Sequence, residues 1–258
     1  MKMVGVFRAS PLAGKPRADR MILRAVEKRL KTFGHKTVLI DEDKLGPKLV
    51  EFQPDLVFSM ARSLKAITSL KLIAPHTPVI NAPDTVTGCL DRIHLYKKLE
   101  EAGVRIPKTR LIPLKGIFDL EFPYVLKHPT AHGKKDKTFV VDFPCKRRGA
   151  VNSLAGQGLK EVLAQEFVEG ESLKFYGVGR EIFLIGKKTS PLTPVQAEII
   201  AKQAREACCK VAQLQVYGGD FIYTPSGPVF TDVNDWPSFS PIRKGAAERI
   251  ANYLLSYF

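Results

Sequence analysis

The sequence of 258 residues has only four cysteines, and none of them has the spacing of a metal-binding pair. Cys208 and Cys209 are neighbours on a predicted helix, an arrangement that suits neither a zinc site nor a disulfide between elements. A reduced, cytoplasmic protein is the simplest interpretation. The sequence also lacks any run approaching the ~18 apolar residues of a membrane-spanning helix. We therefore expect no membrane partner.

Acidic residues are scarce relative to basic ones, with 26 Asp and Glu against 40 Lys and Arg. The resulting net charge of +14 is concentrated in residues 1–40 and 125–149, whereas residues 150–258 are balanced. Concentrated cations indicate an anionic partner, either a nucleic acid or a phosphorylated small molecule. A solvated basic helix face would have the same composition. With 45% hydrophobic and 26% charged residues, the chain is neither disordered nor fibrous.

The first 82 residues alternate between short apolar runs and helical patterns. Strands are predicted at residues 3–8, 37–40, 56–60 and 78–81, and helices at residues 18–33 and 63–73. Such alternation is typical of a parallel sheet with helices on both sides. We therefore predict an N-terminal α/β lobe over residues 1–82.

The remaining sequence has a different pattern, with more strands and fewer helices. Strands are predicted at residues 109–113, 124–127, 138–141, 162–168, 173–178, 181–185, 216–223 and 228–234, and helices at residues 91–102, 145–154, 193–212 and 242–258. The helix at 193 has the signature of a capping box, with Thr193, Pro194 and Gln196 in the required order. These elements predict two α+β lobes, a central one over residues 83–164 and a C-terminal one over residues 165–258.

The predicted hairpin near the C-terminus has a concentration of side-chain oxygens. Asp232 and Asn234 are two residues apart on one strand, so their side chains point to the same face, and Asp220 can lie opposite them. Two carboxylates and an amide oxygen suit Mg²⁺, which is normally completed by waters and nucleotide phosphates. The alternative is a polar, solvent-facing sheet edge. Asp235 should point the other way and serve a structural purpose.

Three further segments have residues that would suit a nucleotide site. Lys127 closes the apolar strand FPYVLK, where a lysine either extends into solvent or contacts an anion. The strand AQEFVEG can offer backbone groups to an adenine edge, although many edge strands share this pattern. Its relevant residues are Gln165, Glu166, Phe167 and Val168. Lys174 follows on the next predicted strand.

In their order along the chain, these motifs resemble the ATP-grasp superfamily from about residue 79 to the C-terminus. VINAPDTVTGCLDR resembles the entry to that fold, YVLK supplies the strand lysine, AQEFVEG the adenine-binding hinge and DVNDWP the metal motif. The resemblance implies an ATP-grasp fold, in which a parallel α/β lobe precedes two α+β lobes that enclose the nucleotide. It also implies the cofactors ATP and Mg²⁺. Besides Lys127 and the hinge, the nucleotide contacts that it implies are Arg92, Glu171 and Lys187.

Within that superfamily, the loop LKHPTAHGKKDK resembles the inositol trisphosphate/tetrakisphosphate kinases, in which a His-Gly pair follows the strand lysine. The segments LDRIHLYKKL and DVNDWP extend this resemblance. It implies catalytic roles for Lys127, Lys174 and His132. The implied substrate contacts are Lys15, Arg17, His132, Gly133, Lys137, Lys174 and Ser238. Lys137 stands where that family usually has a second histidine.

The function predicted from the sequence is an ATP- and Mg²⁺-dependent phosphotransferase acting on the hydroxyl of an anionic polyol, either inositol or an inositol phosphate. Phosphoryl transfer depends on positioning and charge neutralisation, which the basic windows favour. The alternative is an ATP-grasp carboxylate–amine ligase, an amino-acid or glutamate ligase that acts through an acyl phosphate. A ligase for an acidic peptide would need a similar field of cations. Because no zinc or RNP motif is present, nucleic acid is not the expected partner. The sequence leaves the oligomeric state open.

Overall fold

The computed structural model describes residues 1–9, 16–130, 138–186 and 191–258, which form three four-stranded sheets. The N-terminal sheet contains β1 (Lys2–Phe7), β2 (Lys36–Asp41), β3 (Leu56–Ser59) and β4 (Val79–Ile80). Its strands are parallel in the order β2-β1-β3-β4, as the alternating pattern predicts. Its helices are α1 (Pro16–Thr32), α2 (Leu45–Phe52) and α3 (Leu64–Ile73).

Helix α2 was not predicted from the sequence, because its first turn contains Gly46 and Pro47. Proline is compatible with the first turn of a helix, where the missing N–H has no intrahelical partner. The helix is stabilised by packing rather than by propensity, since Leu45, Leu49 and Phe52 are all buried.

The order of the N-terminal strands reverses between β1 and β3. In open α/β sheets, ligands bind in the crevice outside the carboxyl ends of the strands at such a reversal. The loops that follow β1 and β3 therefore border the crevice of this lobe.

The central sheet is antiparallel in the order β5-β8-β6-β7. Its strands are β5 (Thr109–Pro113), β6 (Tyr124–Lys127), β7 (Phe139–Val141) and β8 (Glu161–Glu166), with helices α4 (Pro83–Leu90), α5 (Arg92–Glu101) and α6 (Pro144–Ala155). Tyr124 and Leu126 pack into one core with residues of α6. Because side chains alternate along a strand, Val125 and Lys127 face the opposite side of the sheet.

The C-terminal sheet is antiparallel in the order β10-β9-β11-β12. Its strands are β9 (Ser172–Val178), β10 (Glu181–Ile185), β11 (Val216–Thr224) and β12 (Gly227–Asp235), and its helices are α7 (Pro194–Arg205), which continues as a π-helical turn, and α8 (Arg243–Leu255). The capping box predicted at Thr193 is confirmed, because Thr193 and Gln196 exchange side-chain hydrogen bonds with each other's backbone.

The N-terminal and C-terminal parts of the chain share one hydrophobic core. Trp236 and Phe239, which follow the end of β12, are fully buried in it. The ring of Trp236 lies 6.4 Å from that of Phe58 on β3, and α8 packs against α1. The lobe boundaries at residues 82 and 164 stay predictions. None of the described helices is long and apolar enough to span a bilayer.

Candidate active site

A cleft with a volume of about 460 Å³ lies between the central and C-terminal sheets. Its lining includes candidate site residues from four separate segments of the chain. These residues are Lys127, Gln165, Glu166, Phe167, Val168, Lys174, Asp220 and Asp232. Strand alternation places Lys127 and Gln165 on the cleft face of the central sheet, and cross-strand pairing places Lys174, Asp220 and Asp232 side by side on the C-terminal sheet.

Lys127 is held inside the cleft rather than extended into solvent. Its residue surface is only 5% exposed. The ammonium group donates a hydrogen bond to the backbone carbonyl of Thr231 on β12, over 2.6 Å, and lies 6.0 Å from the ring of Tyr96. The lysine therefore links the central sheet to the C-terminal sheet across the cleft.

The strand that ends in the predicted hinge is fixed by side-chain hydrogen bonds. The Nε2 atom of buried Gln165 donates to Oγ1 of Thr109 over 2.8 Å, and this hydroxyl donates to the carbonyl of Pro107 over 2.7 Å. Because the Thr109 oxygen accepts from Gln165, the orientation of the Gln165 amide is set. The cleft beside the hinge is also lined by the apolar side chains of Val125, Val140 and Ile222. Such an apolar lining suits a flat aromatic ring.

The hairpin of β11 and β12 places Asp220 directly opposite Asp232, with a bulge after Asp220. Asn234 lies on the same face of β12, and its Nδ2 donates to Oδ2 of Asp232 over 2.7 Å. Gly219 permits the close approach of the two strands, since a Cβ there would lie 2.1 Å from the Asp232 carbonyl oxygen. The arrangement of the three side chains is the one that the sequence predicts.

Cations lie beside both carboxylates of this hairpin. Burial by itself would raise the pKa of Asp232. The positive charges of Arg92 and Lys127 more than offset this effect, so the pKa lies below its ordinary value. The Nη2 atom of Arg92 is 3.6 Å from Oδ1 of Asp232. Burial lowers the pKa of Lys174, but its hydrogen bond to Asp220 and the negative charges around it together raise the pKa above its ordinary value. Asp232 is therefore held as a carboxylate near neutral pH.

These oxygens fit Mg²⁺ better than a metal that needs a cage built entirely from protein. Among the residues that the structure describes, no three His, Cys, Asp or Glu side chains converge to hold a metal. The hairpin instead offers two carboxylates and one amide. Mg²⁺ is usually bound by one or two carboxylates together with waters and substrate phosphates.

Other predicted site residues that the structure describes do not line the cleft. Arg92 is buried between Asp232 and the carbonyl of His128, to which its Nη1 donates over 3.2 Å. The Ser238 hydroxyl is 2.9 Å from that of Ser240, Glu171 is half-buried, and Arg17 is exposed on the first turn of α1. Lys15, His132, Gly133, Lys137 and Lys187 lie outside the described residues. The functional roles of all these residues stay predictions.

Two arginines of the basic segment 1–40, Arg8 and Arg20, form ion pairs within the protein and do not line the cleft. Arg8 is buried, with its guanidinium 3.4 Å from Asp19 and 3.5 Å from Asp235. Arg20 pairs with Asp41 over 2.5 Å. Their positive charge is therefore neutralised within the protein.

Arg147, from the second basic window, is also structural. Its guanidinium donates to the carbonyls of Phe118 and Leu120 and to the hydroxyl of Tyr124, and it lies 4.4 Å from the ring centroid of Phe122. These contacts hold it on the face of the central sheet that packs against α6, away from the cleft. Net charge in a sequence window does not reveal such pairing.

Several cleft residues were not identified from the sequence. Val125 precedes Lys127 by two residues and Ile222 follows Asp220 by two, so strand alternation was a signal that would have found both. The Thr231 carbonyl and the Thr109 hydroxyl had no such signal, because their partners Lys127 and Gln165 are 104 and 56 residues away in sequence.

Comparisons with known proteins are consistent with this arrangement, although no family model matches the chain. The Glutamate–LysW ligase ArgX of Sulfolobus acidocaldarius is 25% identical over 266 residues, covering 93% of each chain. A RimK domain ATP-grasp protein from Sphaerobacter thermophilus has a TM-score of 0.72 at 23% identity, covering 98% of this chain and 99% of that one. The D-alanine–D-alanine ligase of Bacillus anthracis in complex with ATP has a TM-score of 0.76 at 15% identity, covering 99% and 96%.

None of these three proteins is an inositol phosphate kinase, so they give no support to the predicted resemblance to that family. The structural likeness does extend over almost the whole of this chain and of both solved structures. Together with the parallel N-terminal sheet and the two antiparallel sheets around the cleft, it identifies the protein as having an ATP-grasp fold.

Proposed function

We propose that the protein is an ATP- and Mg²⁺-dependent carboxylate–amine ligase. The observation that carries this proposal is the cleft itself, in which Lys127, the 165–168 hinge and the carboxylates of Asp220 and Asp232 meet between two antiparallel sheets. A phosphate-binding cation, an apolar base pocket and hard oxygen ligands are the elements that a bound Mg²⁺–ATP complex needs.

Each part of the cleft has a role in this proposal. Val125, Val140 and the hinge bind the adenine, and Lys127 neutralises phosphate charge. The metal-binding oxygens come from Asp220, Asp232 and Asn234. When bound, Mg²⁺ neutralises the charge that develops on the phosphates during transfer. Lys174 lines the cleft beside Asp220, where an anionic substrate group would meet a cation.

The ligase is proposed in preference to the kinase because of the similar proteins. The relative from Sulfolobus acidocaldarius is named as a glutamate ligase, and its alignment includes 93% of this chain. The Bacillus anthracis protein is also named as a ligase. The residues that suggested a kinase, His132, Gly133 and Lys137, lie outside the described part of the chain. Glutamate is accordingly the first amine substrate to test, with an acidic peptide as the carboxylate.

A trapping experiment distinguishes the two chemistries. The protein is incubated with ATP, Mg²⁺, hydroxylamine and a panel of acidic peptides, and separately with a panel of inositol phosphates. A ligase gives a hydroxamate with the carboxylate substrate, together with ADP and phosphate. A new acid-stable phosphate ester on the polyol, without any hydroxamate, would overturn the proposal in favour of the kinase.

The variant Lys127→Met tests the cleft assignment in the same assay. Loss of this buried cation should lower kcat/KM for ATP by about 100-fold, by analogy with the removal of a single charge-stabilising donor elsewhere. Lys108→Met is the matched control, because Lys108 is exposed and does not line the cleft. Equal activity of the two variants would exclude Lys127 from the nucleotide site.

A further inference from the structure

Five charged side chains, each with less than a tenth of its surface exposed, lie together where the N-terminal lobe meets the end of β12. They are Arg8, Asp19, Glu42, Arg62 and Asp235, and the side chain of Asp235 has no exposed surface. Charged groups are rarely buried unless they are paired, and a buried ion pair seldom adds net stability compared with apolar residues of the same size. Such a network is therefore better explained by the geometry that it imposes than by the stability that it contributes.

Asp235 is the member of this network that belongs to the hairpin. Its two carboxylate oxygens contact different arginines: Oδ1 accepts a hydrogen bond from Nη2 of Arg62, and Oδ2 lies 3.5 Å from Nη2 of Arg8. The same guanidinium groups also reach the backbone, since Arg8 donates to the carbonyl of Trp236 over 3.4 Å. The last residue of β12 and the residue after it are thus bound by side chains from two loops of the N-terminal lobe.

Those two loops are themselves fixed by a buried carboxylate. Glu42 accepts hydrogen bonds from the backbone N–H groups of Ala9, Arg62 and Ser63, over 2.5, 3.0 and 3.0 Å. The backbone beside both arginines is therefore tied to one point at the carboxyl edge of the parallel sheet. As a result, Arg62 approaches Asp235 from a backbone that is already held in place.

The position of Asp235 in the sequence connects this network to the metal face. Asp235 directly follows Asn234, and the two side chains point to opposite faces of β12. In the sheet order β12 is an edge strand, with ladder hydrogen bonds to β11 on one side only. A contact at Asp235 therefore affects where Asp232 and Asn234 are placed.

We infer that Asp235 is a positioning residue, which holds the metal-binding end of β12 in register through Arg62 and Arg8. The inference rests on the proposed function, because it requires a divalent cation at Asp220, Asp232 and Asn234. It makes the N-terminal lobe part of the metal site without any contact between that lobe and the ion. A purely structural network would instead stabilise the fold and leave metal affinity unchanged.

The test measures Mn²⁺ binding to the full-length protein in the presence of a non-hydrolysable ATP analogue, by the electron paramagnetic resonance signal of free Mn²⁺. Asp235→Asn should weaken Mn²⁺ binding by about tenfold. Asp19→Asn is the matched control, because it also removes a buried partner of Arg8 but does not touch β12. It should lower the melting temperature and change Mn²⁺ binding less than twofold.

A double variant distinguishes an effect on the placement of the metal-binding residues from an effect of net charge or of fold stability on Mn²⁺ binding. Asp235→Asn combined with Arg62→Met removes one negative and one positive charge, so the net charge is that of the wild type. Its melting temperature should recover towards that of the wild type while Mn²⁺ binding stays weak. Recovery of full Mn²⁺ affinity in the double variant would show that only charge matters and would overturn the inference, as would equal affinity losses in Asp235→Asn and Asp19→Asn.

The same titration distinguishes failure of the inference from failure of the proposed function. If the wild-type protein binds no Mn²⁺ in the presence of the nucleotide analogue, it has no metal site, and both the proposed ligase function and the positioning role of Asp235 are wrong. Tight wild-type binding that Asp235→Asn leaves unchanged removes the positioning role alone. Emission from Trp236, the only tryptophan, gives an independent readout, because it adjoins Asp235 and should shift in Asp235→Asn but not in Asp19→Asn.

Discussion

Single side chains in the cleft act through the charges placed beside them. Asp232 is only partly exposed, yet Arg92 and Lys127 hold its pKa below the ordinary value for an aspartate. A carboxylate that stays ionised in a half-buried position is suited to a divalent cation. The same cations would repel a metal if the carboxylates were absent.

We therefore expect Asp232→Asn to abolish most of the activity while the fold is retained. Asparagine has the same shape, but it removes the charge opposite Asp220, so turnover with ATP should fall by at least about 100-fold. Activity assays and a melting curve measure the two effects separately. Asp55→Asn, at an exposed aspartate that accepts a hydrogen bond from the Lys2 backbone, should keep full activity. Undiminished turnover in Asp232→Asn would exclude it as a metal ligand.

The four cysteines should differ sharply in reactivity. Burial raises the pKa of Cys89 to about 12 and also raises that of Cys208, whereas Cys145 is exposed. The thiolate is the reactive form, and it is negligible at pH 8 for a thiol with a pKa near 12. Iodoacetamide at pH 8 should therefore label Cys145 first, as mass spectrometry of peptides would show. Rapid labelling of Cys89 in the native protein would contradict its burial behind β12.

Among the secondary-structure elements, the β11–β12 hairpin determines the geometry of the site. The two strands approach so closely that Gly219 cannot accept a side chain without moving the backbone of Asp232. After Asp220 a bulge shifts the register by one residue, so that Phe221 pairs with Phe230. Bulges of this kind commonly redirect side chains next to active sites.

Gly219→Ala should consequently impair the site more than the fold. The added Cβ would lie 2.1 Å from the carbonyl oxygen of Asp232, which would force the strands apart and displace Asp232. We expect a loss of about 1–3 kcal/mol in the free energy of unfolding, typical of overpacking, and a loss of nearly all ATP-dependent activity. Gly149→Ala is the control, because a Cβ on this exposed helical glycine meets nothing within 4 Å and should be neutral or slightly stabilising.

At the scale of the whole molecule, the N-terminal lobe and the C-terminal sheet fold around a common core. Phe58 on β3 and Trp236 after β12 are both fully buried within it, 178 residues apart in the chain numbering. Trp236 also donates a hydrogen bond from Nε1 to the carbonyl of Ile80, over 3.0 Å. The parallel lobe therefore packs directly against the end of the β11–β12 hairpin and supports it.

Phe58→Ala tests this coupling. Removing a fully buried phenyl ring should cost about 3–5 kcal/mol in the free energy of unfolding. Because the ring lies beside Trp236, the emission of the folded protein should also shift to longer wavelength. Urea titrations followed by fluorescence measure both effects. Phe258→Ala, at an exposed position, should cost less than about 0.5 kcal/mol, and a similar cost for the two variants would argue against a shared core.

The features predicted correctly from the sequence are those with local causes. The strand alternation around Lys127, the pairing of Asp220 with Asp232 and the capping box at Thr193 each depend on residues within about a dozen positions of one another. Periodicity and capping reflect backbone geometry, so they can be recognised without knowing how the sheets pack. The alternation of the first 82 residues likewise implied a parallel sheet before any contact was known.

What only the tertiary structure decided is which charges are available to a ligand. Arg8 belongs to a basic window that suggested an anionic substrate, yet it is buried and paired with Asp235, 227 residues away. Arg147 is similarly enclosed by the aromatic residues of the central lobe. The amino-acid sequence by itself determined the local elements and the pairing within the β11–β12 hairpin, because backbone periodicity is a short-range property. The packing of three sheets determined the partners of the cations, because an ion pair forms between whichever distant groups the folded chain brings within a few ångströms.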